Sequence, residues 1–157
     1  MDLTDPIEIE VCFDVESITA AEREEISAKT NKVIRHILAE AGVTNGKFEI
    51  DVIDDETIHK INAAFLSHDY PTDVLAFEMD RDEGVHKLEG NILVSAETAA
   101  SRAPEFGWGT FEELMLYIIH GTLHLVGYDD HEGGDAAAMR QKENEALAVL
   151  GLKRAGS

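Results

Sequence analysis

The sequence is poor in cysteine, proline and basic residues. Its 157 residues include 1 Cys and 3 Pro, and 13 Lys+Arg stand against 32 Asp+Glu, which gives a formal net charge of −19. The lone cysteine, Cys12, excludes a disulfide within the chain and is typical of a reducing compartment. Because proteins that bind nucleic acids on their own usually carry a basic surface, we expect any such contact here to be local, or assisted by a metal or a partner.

Long hydrophobic runs are also missing. No stretch approaches the roughly 20 apolar residues that span a bilayer, and the acidic start MDLTDPIEIE lacks the pattern of a signal peptide. We therefore expect a cytoplasmic protein without a membrane segment. Apolar residues make up 44% and charged residues 29%, which is typical of a folded domain. The length predicts one domain over residues 1–157, with a frayed tail at 153–157.

Local patterns predict four strands. Ile7 to Phe13 alternates apolar and polar residues, as a strand with one buried face does, and Cys12 within it is interpreted as a small buried hydrophobe. The other strands are predicted at residues 48–53, 73–78 and 90–94, with a polar connection at 79–87 between the last two.

Capping signals predict five helices between and after these strands. Thr19 and Glu22 form a capping box that starts the first helix, and Thr110 and Glu113 form a second one. The helices are predicted over residues 19–41, 54–65, 95–103, 110–126 and 135–150. This order predicts an α+β fold: a single domain with a small mixed sheet of about four strands, several helices and one central helix that carries histidines.

The segment from Leu114 to His131, LMLYIIHGTLHLVGYDDH, carries the strongest chemical signal. Its helical part is apolar nearly all round, which is typical of a buried central helix. His120 and His124 interrupt it at i and i+4, where neutral imidazoles either chelate one metal ion or form hydrogen bonds in the core. His131 follows the helix-ending Gly127 as a third candidate ligand. Three protein ligands leave a fourth position for water or substrate, as in catalytic zinc sites.

The same helix argues against a zinc peptidase. In the H-E-x-x-H motif a glutamate follows the first histidine and acts as the general base. Gly121 occupies that position here, so a peptidase built on this helix would lack its base. A glycine at this point also fits a close approach between the helix and a neighbouring element.

Three ordered motifs surround the histidines. They are HGTLHLVGYD at residues 120–129, PTDVLAF at 71–77 after an Asn-x-x-Phe helix end at 62–65, and GNILVSAETA at 90–99. Together they resemble the YbeY family, bacterial rRNA maturation factors described as zinc-dependent, single-strand-specific endoribonucleases. The resemblance covers about residues 50–140. It implies an α+β fold with a small mixed sheet, one bound zinc per chain, and a cleft lined by Thr72 and Asp73.

The resemblance also implies ligands for the zinc. His120 and His124 carry over directly, but an extra aspartate precedes the last histidine, so either His131 reaches the metal or Asp130 replaces it. We expect His131, because imidazole suits zinc. Asp129 and Asp130 are candidates for orienting a ligand histidine, although aspartate is also simply favoured in such a turn.

Two positions depart from the family pattern. Leu66 stands where the family commonly has an arginine thought to help activity, so no cation stands there to neutralise a phosphate. His68 and Arg102 are candidates to compensate. Asn91 stands where the family often has an aspartate.

A basic stripe on the first helix is a further candidate for RNA contact. Lys29, Lys32 and His36 share one face, with Arg35 beside them. The stripe fits either RNA phosphates or a plain solvated surface. The predicted RNA-binding residues are Lys29, Lys32, Arg35 and Arg102.

The resemblance implies a hydrolase, a zinc-dependent endoribonuclease specific for single-stranded RNA. It would act in 16S rRNA 3′-end maturation and ribosome quality control, with the small ribosomal subunit or a ribosomal protein as partner. The catalytic group would be zinc on His120, His124 and His131, with water or the RNA 2′-OH as the nucleophile. The alternative is a non-catalytic, zinc-containing ribosome-assembly factor that binds rRNA or a ribosomal protein, which the net charge and Leu66 favour.

Overall fold

The computed structural model describes residues 6–65, 73–128 and 136–154. The strands in these ranges are β1 (Ile7–Phe13), β2 (Asn45–Ile53), β3 (Val74–Asp82) and β4 (Lys87–Ser95). The helices are α1 (Ala20–Glu40), α2 (Asp55–Phe65), α3 (Ala96–Arg102), α4 (Thr110–Leu125) and α5 (Ala136–Val149). The predicted α+β architecture is confirmed: a single small domain in which helices surround one mixed sheet.

The four strands lie in the order β1-β2-β4-β3. β1 and β4 each run parallel to β2, whereas β3 runs antiparallel to β4. Parallel neighbours need a crossover connection, which α1 supplies between β1 and β2. Side chains alternate between the two faces of the sheet, and one face carries Phe48, Ile50 and Val52, all fully buried. The main core lies between this face and helices α1, α4 and α5.

A smaller cluster lies on the opposite face of the sheet. It consists of Ile53, Leu75 and Leu93 from three strands, with Ile58 of α2 against them. Because Ile53 follows Val52 directly, the period-two alternation of β2 places their side chains on different faces. α2 therefore covers only the end of the sheet where these residues lie.

Two glycines set the position of α4. A Cβ atom on Gly121 would lie 2.8 Å from Ile92 Cγ2, and a Cβ atom on Gly90 would lie 2.6 Å from Leu125 Cδ1. Real Cβ atoms essentially never come within 3.0 Å of such neighbours, so the helix and the sheet approach this closely only because both residues lack a Cβ. The close approach expected at Gly121 is confirmed, and it places His120 and His124 on a fixed part of the helix.

The predicted capping box of α1 is present. Thr19 Oγ1 accepts a hydrogen bond from the backbone N–H of Glu22, and the Glu22 carboxylate accepts one from the N–H of Thr19. Side chains at the predicted positions also accept bonds at the starts of the next two helices, Asp54 for α2 and Ser95 for α3. Short-range polar patterns thus predicted three helix starts correctly.

The second capping box is wrong. Gly109 is the N-cap of α4, Thr110 is its first helical residue, and no side chain caps this end. Glu113 instead accepts a hydrogen bond of 2.8 Å from Trp108 Nε1. Since Glu113 is buried, that contact gives its carboxylate the hydrogen-bond partner that a buried charge requires.

The polar connection predicted at 79–87 is also wrong. β3 continues to Asp82 and β4 begins at Lys87, with a 3₁₀ turn at Glu83–Val85 between them. Met79 lies at a bulge in this hairpin and is 67% exposed. A strand that extends beyond the core has no buried face, so it lacks the alternation by which strands are recognised.

Candidate functional site

His120 and His124 lie on the same face of α4, as their spacing predicts. Their Nε2 atoms are 2.9 Å apart, and the two rings meet edge to face with centroids 4.5 Å apart. Both residues are half-buried, and 23% of the His120 side chain is exposed. Ile119, Gly121 and Leu123 beside them on α4 are buried, so the two imidazoles are the more accessible side chains of this part of the helix. This placement favours a ligand-binding pair over two core histidines.

Glu143 of α5 holds the other nitrogen of His120. Its Oε2 lies 2.6 Å from His120 Nδ1, and its Oε1 accepts a hydrogen bond from Arg154 Nη2. Burial raises the pKa of Glu143, but the hydrogen bonds with His120 and Arg154 outweigh burial and keep that pKa below its usual range. An ionised carboxylate at Nδ1 favours a proton on that nitrogen, which makes Nε2, the nitrogen that faces His124, the one suited to bind a metal.

Sequence reasoning missed both Glu143 and Arg154. The residues predicted to orient a ligand histidine, Asp129 and Asp130, lie outside the described residues, as does His131. A signal for Glu143 was present, because it interrupts the buried face of α5 formed by residues such as Met139, Ala146 and Leu147. A glutamate in an apolar face needs a buried partner. Arg154 lies in the tail predicted to be frayed, of which residues 155–157 are outside the described ranges.

The residues present fit a zinc ion. Two nitrogen ligands of one tetrahedral zinc stand about 3.3 Å apart, because each Zn–N bond is about 2.0 Å long. The observed separation of 2.9 Å between His120 Nε2 and His124 Nε2 is about 0.4 Å shorter than this, a difference that a small rotation of either ring removes. Ligand histidines usually donate their second N–H to a carboxylate, and Glu143 supplies one. Two ligands and their supporting carboxylate are therefore placed as a zinc site requires.

Further polar groups lie beside the histidines. Asp73, at the start of β3, is 8% exposed, and its Oδ2 is 3.6 Å from Nη1 of Arg102 at the end of α3. Burial raises the pKa of Asp73, and its backbone hydrogen bonds and the neighbouring Arg102 offset this only in part. Tyr117, one turn before His120, is also buried, and burial together with the neighbouring Glu113 raises the pKa of its hydroxyl. Asp73, predicted to line the cleft, lies near the histidines, whereas Thr72 is outside the described residues.

The basic stripe of α1 contains residues of different accessibility. Lys32 is exposed, whereas Lys29 and Arg35 are half-buried. The guanidinium of Arg35 donates to Asn31 Oδ1 at 2.7 Å and to the carbonyl of Ile7 at 3.0 Å. Arg35 therefore joins α1 to β1, and Lys32 is the residue of this stripe most accessible to a ligand.

A second group of potential metal ligands lies on the outer face of the sheet. The carboxylates of Glu10 and Glu49 and the Cys12 thiol have ligand atoms within 4.8 Å of one another. The expectation that Cys12 is buried is wrong, because the alternation of β1 places it beside Glu10 on the outward face, while Phe13 packs against the core. Partial burial and the Glu10 charge raise the pKa of the Cys12 thiol to about 11.

Comparisons with known proteins agree with one another. A sequence profile of the family described as Endoribonuclease YbeY matches residues 12–151. Proteins named Endoribonuclease YbeY include one from Rhodopirellula baltica, 42% identical over 71% of this chain and 58% of that protein. Another, from Aquifex aeolicus, is 35% identical over 78% of this chain and 82% of that protein. A third, from Bacillus licheniformis, is 32% identical over 90% of this chain and 96% of that protein.

The fold has a similar solved structure. The solution structure of TM1509 from Thermotoga maritima matches with a TM-score of 0.60 and 26% identity, covering 91% of this chain and 89% of that chain. Among the described residues, no helix has both the length and the apolar character needed to cross a membrane. The family profile covers both the sheet and the histidine helix, and relatives over 30% identical span most of the chain. The chain therefore belongs to the YbeY family of endoribonucleases.

Proposed function

We propose that this protein cleaves single-stranded RNA with one zinc ion held by His120, His124 and His131. The observation that carries the proposal is the pair of Nε2 atoms 2.9 Å apart, with Glu143 on the opposite nitrogen of His120. His131 lies outside the described residues, and Asp130 is the alternative third ligand. Imidazole is the better match to zinc, which is why His131 is proposed.

The residues of the chain have separate tasks in this proposal. Glu143 fixes the orientation of His120, and Arg154 in turn holds Glu143. When bound, zinc polarises a phosphoryl oxygen and promotes deprotonation of the attacking group. Asp129 and Asp130 are proposed to orient a ligand histidine in the same manner as Glu143.

The RNA substrate is proposed to be ribosomal. Cleavage would mature the 3′ end of 16S rRNA and serve ribosome quality control, with the small subunit or a ribosomal protein as partner, in the cytoplasm. Membership of the endoribonuclease family supports this proposal. Lys29, Lys32, Arg35 and Arg102 are the proposed contacts to RNA phosphates. Replacing the exposed Lys32 by glutamate should weaken RNA affinity and flatten its salt dependence, whereas Arg35→Glu would also break the bond that joins α1 to β1.

The test is cleavage of a labelled single-stranded RNA by the zinc-loaded protein, with His120→Ala as the matched control. We expect cleavage by the natural protein and none by the variant. A 5′-phosphate on the product indicates attack by water, whereas a 2′,3′-cyclic phosphate indicates attack by the 2′-OH. Absence of cleavage by folded, zinc-loaded protein would overturn the proposal.

A second candidate is a zinc-containing ribosome-assembly factor without cleavage activity. The net charge of −19 favours it, because an acidic protein gains little from non-specific attraction to RNA and fits a basic ribosomal protein instead. The cleavage assay separates the two candidates. A protein of this second kind would bind rRNA or a ribosomal protein equally well with His120 intact or replaced, provided that it stays folded.

A further inference from the structure

The contact between Asp73 and Arg102 is a poor structural ion pair. Asp73 is 8% exposed, whereas 49% of the Arg102 side chain is exposed. The atoms Oδ2 and Nη1 are 3.6 Å apart, longer than a strong charge-assisted hydrogen bond. Burying a carboxylate is costly, and the pKa of Asp73 stays raised by burial although Arg102 and the backbone N–H groups of Asp73 and Val74 act against this. Stability alone therefore does not explain why a buried aspartate faces Arg102.

One buried carboxylate oxygen at this contact makes no hydrogen bond. It is Asp73 Oδ1, which has no hydrogen-bond partner among the described residues. Buried polar atoms are nearly always paired in folded proteins, so unpaired ones mark a place where a ligand or ordered water belongs. Asp73 lies near His120, because its neighbour Val74 packs against Gly121, the residue that follows His120. Tyr117 lies one turn before His120 on α4, and burial and a hydrogen bond with Glu113 raise the pKa of its hydroxyl, which therefore stays protonated.

Arg102 is suited to bind an anion at this place. A guanidinium has five N–H donors, and Asp73 engages one end of it through Oδ2. The exposed half of the side chain leaves the other donors open to solvent. Arginine binds phosphate with parallel N–H donors, and it does so best when its side chain is already held in position.

We propose that Arg102, held in place by Asp73, binds the phosphodiester that is cleaved at the histidines. Arg102 is the substrate-binding residue, and Asp73 is a positioning residue that acts through it. The inference rests on the proposed function, because it names the group that receives the phosphate of the same RNA. It assigns the buried Asp73 a task that neither packing nor the histidine site explains.

The first experiment measures binding without cleavage. The probe is a single-stranded 2′-O-methyl oligoribonucleotide, and its affinity for the zinc-loaded protein is followed by fluorescence anisotropy over a range of KCl concentrations. Because 2′-O-methylation blocks attack by the 2′-OH but not by water, a denaturing gel after each titration checks that the probe is intact. Arg102→Gln should weaken binding about tenfold and reduce the slope of log affinity against log salt by about 0.7, the value for one lost phosphate contact on a single strand. Arg140→Gln, an exposed arginine on α5, is the matched control and should change neither quantity.

The second experiment measures cleavage and the coupling of the pair. Arg102→Gln should lower kcat/KM on labelled RNA by about 10²-fold, with zinc content and melting temperature unchanged. Arg102→Lys keeps the charge and should preserve the salt slope while recovering part of the rate. Asp73→Asn should cause a smaller loss than Arg102→Gln, and the double variant should be no worse than Arg102→Gln alone, because Asp73 acts through Arg102.

The outcomes separate this inference from the proposed function. If the natural protein cleaves RNA, and Arg102→Gln matches Arg140→Gln in affinity, salt slope and rate, the inference is wrong and the proposed function stands. If the natural protein does not cleave RNA, but Arg102→Gln still loses oligonucleotide affinity and salt slope, the phosphate site stands and the proposed function is wrong. Additive losses in the double variant would show that Asp73 does not act through Arg102.

Discussion

At the residue scale, the contact at Nδ1 of His120 determines how well the opposite nitrogen would bind the proposed zinc ion. Glu143 holds it through a 2.6 Å contact and is itself held by Arg154. A charged partner at Nδ1 fixes the ring and raises the basicity of Nε2. The zinc affinity of the proposed site would therefore depend on Glu143, a residue of α5 that is not itself a proposed ligand.

Replacing Glu143 by glutamine tests this dependence. Glutamine has the same size but no charge, so the ring of His120 loses its ionic partner. We expect zinc affinity to fall about 10- to 100-fold, as measured by competition with a chromogenic chelator. Glu145→Gln is the control, because Glu145 is exposed on the same helix and pairs only with Lys142 among the described residues. Equal zinc affinities of the two variants would contradict the prediction.

The single cysteine offers a second test at this scale. Partial burial and the charge of Glu10 raise the pKa of Cys12 to about 11, well above the ordinary value of about 8.5. Only the thiolate reacts with alkylating reagents, so the rate with iodoacetamide should stay low at pH 8 and rise steeply only above about pH 10. The Glu10→Gln variant should shift this rise to lower pH. A fast reaction of the natural protein at pH 8 would show that the thiol is not perturbed.

At the scale of the element, the packing of α4 depends on a missing side chain. Gly121→Ala adds a Cβ 2.8 Å from Ile92 Cγ2 and 3.3 Å from Val74 Cγ2, both on β-branched residues that have little freedom to move. Overpacking costs about 1–3 kcal/mol, against about 1 kcal/mol gained from helix propensity. We expect a net loss of up to about 2 kcal/mol in the free energy of unfolding, measured with urea.

A second background shows whether the clash is the cause. In Ile92→Ala the contacting methyl group is absent, so adding Gly121→Ala should cost less than it does in the natural protein. The difference between the two costs is the coupling of the two sites. Equal costs in both backgrounds would place the effect elsewhere on the helix.

Helix starts and residue spacings were predictable from the sequence wherever they depend on neighbouring residues. The capping box of Thr19 and Glu22 and the spacing of His120 and His124 are each settled within one turn of chain. The prediction that Cys12 is buried was wrong although its signal is equally local. The alternation of β1 places Cys12 on the outward face, whereas the apolar character of cysteine suggests burial. Glu113 was misjudged for a different reason, since its partner Trp108 competes with the cap and only packing decides between them.

At the scale of the whole molecule, the histidine site lies at the margin of the main core, and the packing of that core does not depend on the two histidines. The main core is formed by apolar residues of the sheet and of α1, α4 and α5, and the histidines are not among its buried members. The site was only partly predictable, because Glu143 reaches it from α5 and Asp73 from β3. Contacts between elements distant in the sequence depend on topology, for which local patterns carry no signal.

This arrangement predicts how the protein responds to loss of metal. Treatment with a chelator should leave the far-ultraviolet circular dichroism unchanged, abolish RNA cleavage and lower the melting temperature by roughly 5–10 °C relative to protein in about 100-fold excess of zinc over its Kd. Added zinc should restore cleavage. Unfolding on chelation would instead indicate a structural metal, as the assembly-factor alternative requires.

The strand order β1-β2-β4-β3 has a consequence for synthesis on the ribosome. β3 is made before β4, yet within the described sheet its neighbour is β4, which also completes the pairing of β2. Until Ser95 has left the exit tunnel, one edge of β2 stays open and β3 stays unpaired. Open edges of this kind invite pairing between chains. The histidine helix emerges later still, so a nascent chain cannot bring His120 and His124 into place before the framework that supports them is finished.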